Sequence, residues 1–204
     1  MPIKTVVILA NSIKHRQHCI AGKCIATGEW IRPVGDLNGS ELSHEQAKYQ
    51  NPYGKYTVKL KQKIIMDLDA PAPLLHQPEN HLRGAATWKQ NYSIQDAQLV
   101  NYLDTPISLW GADDHVSYST IQRGALVIDQ SLYLIQTEAL TLYKNKFDKR
   151  RADFTYNGKK YDFAVTDPKF DELLAAGLPL GGIVCISLGE VYEGNCYKLV
   201  ASIF

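Results

Sequence analysis

A cluster of hydrogen-bond donors and positive charges between two predicted strands is the part of this chain best suited to chemistry. The cluster is Asn11-Ser-Ile-Lys-His-Arg-Gln-His-Cys19, and the strand segment that follows it carries Trp30 and Arg32. Arginine can hold a phosphate through two parallel hydrogen bonds, and lysine acts as a compact point charge. Because a plain turn needs no such concentration of donors, the pattern predicts an anion-binding surface.

We assign the side chains of this surface by the contacts that each type can make. The small residues Ala21-Gly22 would let backbone N–H groups approach a ligand closely, and aromatic rings can stack on bases. The side chain of Trp30 also has an alternative place in the core. The predicted phosphate and polar contacts are Asn11, Ser12, Lys14, His15, Arg16 and Arg32, and the predicted stacking residues are Trp30 and Tyr56.

The cysteine and histidines of the cluster offer a weaker catalytic hypothesis. Cys19 with His15 or His18 has the composition of a nucleophile and its base, but neighbours on a strand point to opposite faces. A zinc site that also used Cys24 would have ligands too close in sequence to surround one ion. The sequence carries no phosphate-binding loop, dinucleotide fingerprint or nucleophile elbow. We therefore predict no catalytic residue, no metal and no cofactor.

Two further polar segments have structural interpretations. His76-Gln-Pro-Glu-Asn-His81, which follows the prolines of Ala70-Pro-Ala-Pro73, is typical of a polar turn. Asp167-Pro168 is a signal for the start of a helix. Neither segment is predicted to act in catalysis.

Composition limits the class of protein. The 204 residues are 45% apolar and 21% charged with a net charge of +1, which is ordinary for a soluble globular protein of one large or two small domains. Residues 1–70 hold ten Lys/Arg against six Asp/Glu, so the basic excess accompanies the donor cluster. No apolar run approaches the roughly 18 residues of a membrane helix, and the N-terminus lacks a signal-peptide pattern. We predict a cytoplasmic protein with reduced cysteines and no membrane partner.

The order of strand and helix patterns predicts three zones. Residues 1–69 form a strand-rich first domain, residues 70–122 a partly helical connector, and residues 123–204 a strand-rich second domain. The elements predicted in the first zone are strand Ile3–Ala10 ended by Asn11, hairpin strands His18–Ile25 and Glu29–Val34, a short helix Ser43–Tyr49 and strand Tyr56–Met66 with lysines outward.

Each of the other two zones contains one predicted helix. The connector contains a helix over Ile94–Leu103. The elements singled out in the last zone are strand Ala125–Asp129, a hairpin turn at Asn157-Gly158, a helix Lys169–Ala176 ended by Gly177, and strands Ile183–Leu188 and Cys196–Phe204. Short strands with a small helix, given twice, predict a mainly β (α+β) fold of two small barrels or one elaborate barrel.

The motif Asn11-Ser12-x-Lys14…Cys19-x-Ala21-Gly22…Gly28-x-Trp30-Ile31-Arg32-Pro33-Val34 resembles the start of the bacterial dual OB-containing domain family. Segments that resemble this family follow in order: Gln77-Pro78-Glu79-Asn80, Thr166-Asp167-Pro168, Ser187-Leu188-Gly189-Glu190 and Tyr197-Lys198-Leu199-Val200-Ala201. The resemblance implies two oligonucleotide/oligosaccharide-binding (OB) barrels and a nucleic-acid or nucleotide ligand. It supplies no catalytic residues. Ile13 departs from the polar or basic residue expected there.

These observations support one main functional hypothesis and two alternatives. The main hypothesis is a non-enzymatic binding module for nucleic acid or a nucleotide-like anionic ligand. The first alternative is an enzyme that acts on nucleotides or nucleic acid through Cys19 or His18. The second is a protein–protein interaction module whose basic loop meets an acidic partner.

Overall fold

The computed structural model describes residues 3–14, 17–177 and 181–204, with the backbone only at Lys14. The chain is mostly β, with 53% strand and 10% helix. It divides into two compact units, with the boundary between Tyr102 and Leu103. This boundary lies inside the zone 70–122, whose strands and helices are therefore shared between the units.

The first unit contains a closed barrel. Strand β6 pairs with β1 as well as β7, which closes a ring in the order β1-β2-β3-β7-β6. Strands β3 and β7 are parallel, and the other pairs are antiparallel. A closed ring of five strands agrees with the OB barrel. The strands are β1 Ile3–Lys14, β2 Gln17–Cys24, β3 Trp30–Val34, β4 Lys48–Asn51, β5 Gly54–Thr57, β6 Gln62–Pro71, β7 Asn80–Arg83 and β8 Trp88–Ser93, followed by a 3-10 helix Asp96–Tyr102.

A sheet extension continues from the barrel. Strands β8, β4 and β5 follow β6 in that order, and β5 lies at the edge of the sheet. The predicted helix Ser43–Tyr49 is wrong, because Tyr49 instead pairs with β5 and β8 as part of a strand. The predicted strand Tyr56–Met66 is interrupted between β5 and β6, where Lys61 adopts a left-handed φ of 66°. Tertiary pairing outweighs local propensity in both segments.

The donor cluster belongs to a long hairpin. Strand β1 does not end at Asn11 as predicted, since its pairing with β2 continues to Lys14 opposite Gln17. The predicted hairpin of β2 and β3 is confirmed, and Gly28 has the left-handed φ of 74° that its turn requires. The basic residues therefore extend from a strand pair that is part of the closed barrel.

The second unit has its own sheet, in the order β10-β14-β15-β13-β12-β11, with β9 paired to β15. The predicted turn at Asn157-Gly158 and the helix ended by Gly177 are confirmed. Residues 125–129 form no strand, in contrast to the prediction. The elements are β9 His115–Ser117, α1 Tyr118–Gln122, β10 Leu132–Gln136, β11 Glu138–Lys144, β12 Arg150–Tyr156, β13 Lys159–Val165, α2 Phe170–Ala176, β14 Ile183–Tyr192 and β15 Asn195–Ile203.

Each unit has a separate apolar core. The first unit buries Ile8 and Ile64 of the barrel together with Trp88 of β8, while the second unit buries Phe154 and Phe163 in one cluster with Phe170 of helix α2. Within the described ranges, none of the helices combines the length and the apolar character needed to cross a membrane.

Candidate binding site

The stem of the β1–β2 hairpin is attached to the sheet extension. The Asn11 side-chain amide donates to the carbonyl of Val58 across 2.6 Å. Backbone hydrogen bonds join His18 to Leu42 in both directions, and the Ser12 side chain lies largely inside the unit, at 8% exposure. Asn11 and Ser12 therefore belong to the rigid base beneath the hairpin connection.

The hairpin connection itself joins Lys14 to Gln17. Two predicted phosphate contacts, His15 and Arg16, lie outside the described residues, as does the side chain of Lys14. The described strands fix where this basic segment begins and ends, because Lys14 and Gln17 are register partners. In a five-stranded OB barrel the connection between strands one and two borders the usual ligand-binding face.

The buried imidazole of His18 pairs with the exposed imidazole of His44. Its Nε2 lies 3.2 Å from Nδ1 of His44, and its Nδ1 lies 3.5 Å from Oδ1 of Asn11. Burial and the neighbouring His44 lower the pKa of His18, which favours its neutral form. Cys19 is the next residue on the same strand and projects from the opposite face.

Arg32 forms an ion pair with Glu79, which lies 47 residues away along the chain. Its Nε donates to Oε1 of Glu79 across 3.0 Å, and the two side chains are only 12% and 5% exposed. Their backbones are also joined, since the Arg32 N–H donates to the Glu79 carbonyl. A phosphate that reached Arg32 would have to share the guanidinium with a buried carboxylate.

Polar residues around this ion pair form a buried cluster that sequence reasoning missed. Asn80 is fully buried, and its amide donates to Oε1 of Gln77 across 3.3 Å. The backbone of Gly39, at a left-handed φ of 83°, leaves so little room that an added Cβ would come within 3.1 Å of the Asn80 amide. The sequence predicts only a polar turn over 76–81. The signal that could have indicated the buried cluster is the resemblance of Gln77-Pro78-Glu79-Asn80 to a segment of the family named above.

The two predicted stacking residues lie in different environments. Trp30 is 5% exposed, and the Lys23 ammonium lies 5.4 Å from its ring centroid. The core alternative therefore describes Trp30 in this structure, and its buried ring offers no open face to a base. Tyr56 is 43% exposed on the edge strand β5, where its hydroxyl donates to the carbonyl of Tyr53.

Comparison with known families agrees with the barrel and with the order of the motifs. The sequence model of the Dual OB-containing domain matches residues 4–203, nearly the whole chain. The chain belongs to this family. No curated protein matches it. The membership indicates a binding module, because OB barrels typically bind oligonucleotides or oligosaccharides.

The dual OB domain uses Asp167, in its second unit, to hold two segments together. This fully buried carboxylate accepts the backbone N–H of Lys169 and that of Ile203, each across 2.8 Å. Burial raises the pKa of Asp167. The carboxylate thus links the start of helix α2 to the end of β15, which is a structural role consistent with the predicted helix-start signal.

Lys198 is a second buried ionisable group of the dual OB domain. Its side chain is 1% exposed, and its ammonium donates to the carbonyls of Gly111 and Asp113. Burial lowers the pKa of Lys198 to about 8. Elsewhere in the described ranges, no group of three His, Cys, Asp or Glu side chains is arranged to hold a metal ion.

The lowered pKa of Lys198 predicts that the second unit gains stability as the pH rises. Between the folded pKa of about 8 and the ordinary value of 10.5, the unfolded chain binds more protons than the folded one, so the free energy of unfolding increases with pH. The expected gain is about 2–3 kcal/mol. Unfolding of the protein and of Lys198→Met, compared from pH 7.5 to 10.5, isolates this effect from the titration of tyrosines. A difference between the two proteins that stays constant over this range would contradict the prediction.

Proposed function

We propose that the dual OB domain binds nucleic acid or a nucleotide-like anionic ligand through the β1–β2 hairpin of its first unit, and that it does so without catalysing a reaction. One observation carries the proposal. The closed order β1-β2-β3-β7-β6 makes the basic segment Lys14–Gln17 the connection between the first and second barrel strands, which in OB barrels borders the ligand-binding face.

The chemistry of the hairpin supports the same ligand class. Lys14, His15 and Arg16 supply donors and positive charge in succession, which suits the oxygens of a phosphate. The stem below them is held by the Asn11–Val58 bond and the pairing of His18 with Leu42. A rigid stem lowers the ordering cost of binding.

The remaining proposed contacts have supporting roles. Arg32 can add one face of its guanidinium while Glu79 fixes the group in place. The partly exposed Asn11 contributes polar recognition from the stem, whereas the buried Ser12 supports that stem. The half-exposed ring of Tyr56 stacks on a base. Trp30 makes no ligand contact in this proposal, because it is a buried core residue.

Removing the hairpin charges is expected to weaken binding and to reduce its salt dependence. The double variant Lys14→Ala/Arg16→Ala loses two phosphate contacts, so the slope of log K against log salt for a single-stranded oligonucleotide should fall by about 1.4. Fluorescence anisotropy with a labelled oligonucleotide at several salt concentrations measures both quantities.

A control for the loss of charge is available in the second unit. Lys159 and Lys160 are exposed at the β12–β13 turn, so Lys159→Ala/Lys160→Ala removes the same charge away from the hairpin. The proposal is wrong if the hairpin variant keeps the affinity and salt slope of the unsubstituted protein, or if the control variant loses as much.

A further inference from the structure

The sheet extension contains a cleft that the hairpin site does not use. The cleft has a volume of about 380 Å³ and opens between the β4–β5 turn and strand β8. It is lined by amides, a hydroxyl, an ammonium and a proline, without a carboxylate: Gln50, Asn51, Pro52, Thr87, Lys89 and Gln90. This lining offers hydrogen-bond donors and positive charge to a ligand.

Strand register places a second lysine on the same face as Lys89. Lys55 is the register partner of Gln50, and Gln50 is the register partner of Lys89. Residues opposite one another on adjacent strands project from the same side of a sheet, so these three exposed side chains form one row across β5, β4 and β8. Among the described residues, neither Lys55 nor Lys89 forms an ion pair. The row therefore presents two ammonium groups without a direct carboxylate partner, although Lys48, the direct partner of Glu45, and more weakly the charge of Lys55 lower the pKa of the Glu45 carboxyl.

An exposed aromatic ring stands at the rim of this row. Tyr53 is 88% exposed in the turn between β4 and β5, next to Pro52 of the cleft. Its N–H donates to Oδ1 of Asn51 across 2.9 Å, and its carbonyl accepts the Tyr56 hydroxyl across 3.1 Å. The Asn51 amide in turn lies 3.4 Å from Oε1 of Gln90 on β8. The turn that displays the ring is thus held in place on both sides.

We propose that this surface binds single-stranded nucleic acid, with a backbone phosphate on Lys55 and Lys89 and a base stacked on Tyr53. An aromatic platform beside a positively charged groove is the usual combination for single strands, because every base has a stacking face. A paired base in a duplex does not expose that face. The inference rests on the proposed function and narrows its ligand from nucleotides in general to a strand of several nucleotides.

The fold allows one strand to reach both surfaces. Asn11 of the hairpin stem donates to Val58, which follows directly after the end of β5 at Thr57. The hairpin and the sheet extension are therefore neighbours within the same unit. A ligand with repeated phosphates gains from two such sites by effective concentration, whereas a mononucleotide occupies only one.

The test compares a short labelled oligothymidylate with thymidine monophosphate as probes. Lys55→Ala/Lys89→Ala should reduce the salt slope for the oligothymidylate by about 1.4, and Tyr53→Ala should weaken its binding about tenfold or more. Tyr53→Phe should bind as the unsubstituted protein does, since it keeps the ring. Binding of thymidine monophosphate should be unchanged in all three variants.

Matched controls come from the second unit, and the outcomes separate the two proposals. Lys159→Ala/Lys160→Ala removes the same charge, and Tyr192→Ala removes a ring that is 60% exposed; neither should alter binding. If the cleft variants bind the oligothymidylate normally while Lys14→Ala/Arg16→Ala does not, the inference is wrong and the proposed function stands. If the unsubstituted protein binds neither this oligothymidylate nor any other oligonucleotide, both are wrong. Equal loss in Tyr53→Phe and Tyr53→Ala would also overturn the stacking role.

Discussion

Replacing Gly22 with alanine is expected to disrupt the first unit. A Cβ at this position would lie 1.9 Å from the carbonyl oxygen of Val7 and 2.7 Å from its carbonyl carbon. Val7 cannot withdraw freely, because β1 is paired with β2 on one side and with β6 at Lys63 on the other. Overpacking against a flexible side chain costs about 1–3 kcal/mol. A clash with paired backbone should cost more than about 3 kcal/mol.

Hydrogen exchange resolved along the chain tests this prediction within one molecule. Amides of β1 and β2 should lose protection in Gly22→Ala, while those of β12 and β13 serve as the internal reference. Gly28→Ala is the matched control, since Gly28 has a left-handed φ of 74° but nothing within 4 Å of an added Cβ. It should cost only about 1–2 kcal/mol. A Gly22→Ala protein as protected as Gly28→Ala would contradict the argument.

Gly22 also shows which part of the structure the sequence predicts and which part it does not. Ala21-Gly22 was expected to allow a close backbone approach to a ligand, and the close approach exists, but to Val7 of the neighbouring strand. The small residue was a correct signal of crowding; its partner is set by a strand pairing that the local sequence does not specify.

Local signals predicted the turns and helix ends that depend on special backbone angles. The Asn157-Gly158 turn and the Gly177 helix end were confirmed because both depend on left-handed backbone angles that few residues adopt. Closure of the barrel through β1 and β6 depends on pairs such as Val6 with Ile64. Such distant pairing leaves only a general strand pattern in the sequence, so the pattern predicted one or two barrels without their strand pairing, and the family resemblance identified them as OB barrels.

The candidate site likewise combines features that the local sequence predicts with features that depend on contacts between distant segments. The charge of the hairpin was visible in the sequence, whereas the partner of Arg32 lies 47 residues away, in a segment that the sequence predicts to be a polar turn. The row of Lys55 and Lys89 likewise arises from the register of β5, β4 and β8. Tyr53, beside this row, is not among the predicted stacking residues, because the sequence alone does not reveal that its ring is exposed in a turn.

The buried carboxylate of Asp167 provides the second large expected effect. Asp167→Ala removes the acceptor for two backbone N–H groups, and the N–H of Ile203 is buried away from solvent. Hydrogen bonds to a charged group contribute about 1.5–3 kcal/mol each, and an unsatisfied buried donor costs a similar amount. The free energy of unfolding of the second unit should therefore fall by about 3–5 kcal/mol.

A graded series separates the loss of these bonds from the loss of charge. Asp167→Asn keeps one carbonyl acceptor and places an NH₂ group against the other donor, so its loss should be roughly half that of Asp167→Ala. Glu172→Ala removes an exposed carboxylate from the first turn of helix α2 and should cost no more than about 0.5 kcal/mol. Denaturant unfolding, with hydrogen exchange at β15 to identify the unit that opens, measures all three variants. Equal stability of Asp167→Ala and Glu172→Ala would show that the carboxylate does not hold helix α2 to β15. If it does, Asp167→Ala is the least stable variant, Asp167→Asn is intermediate and Glu172→Ala is the most stable.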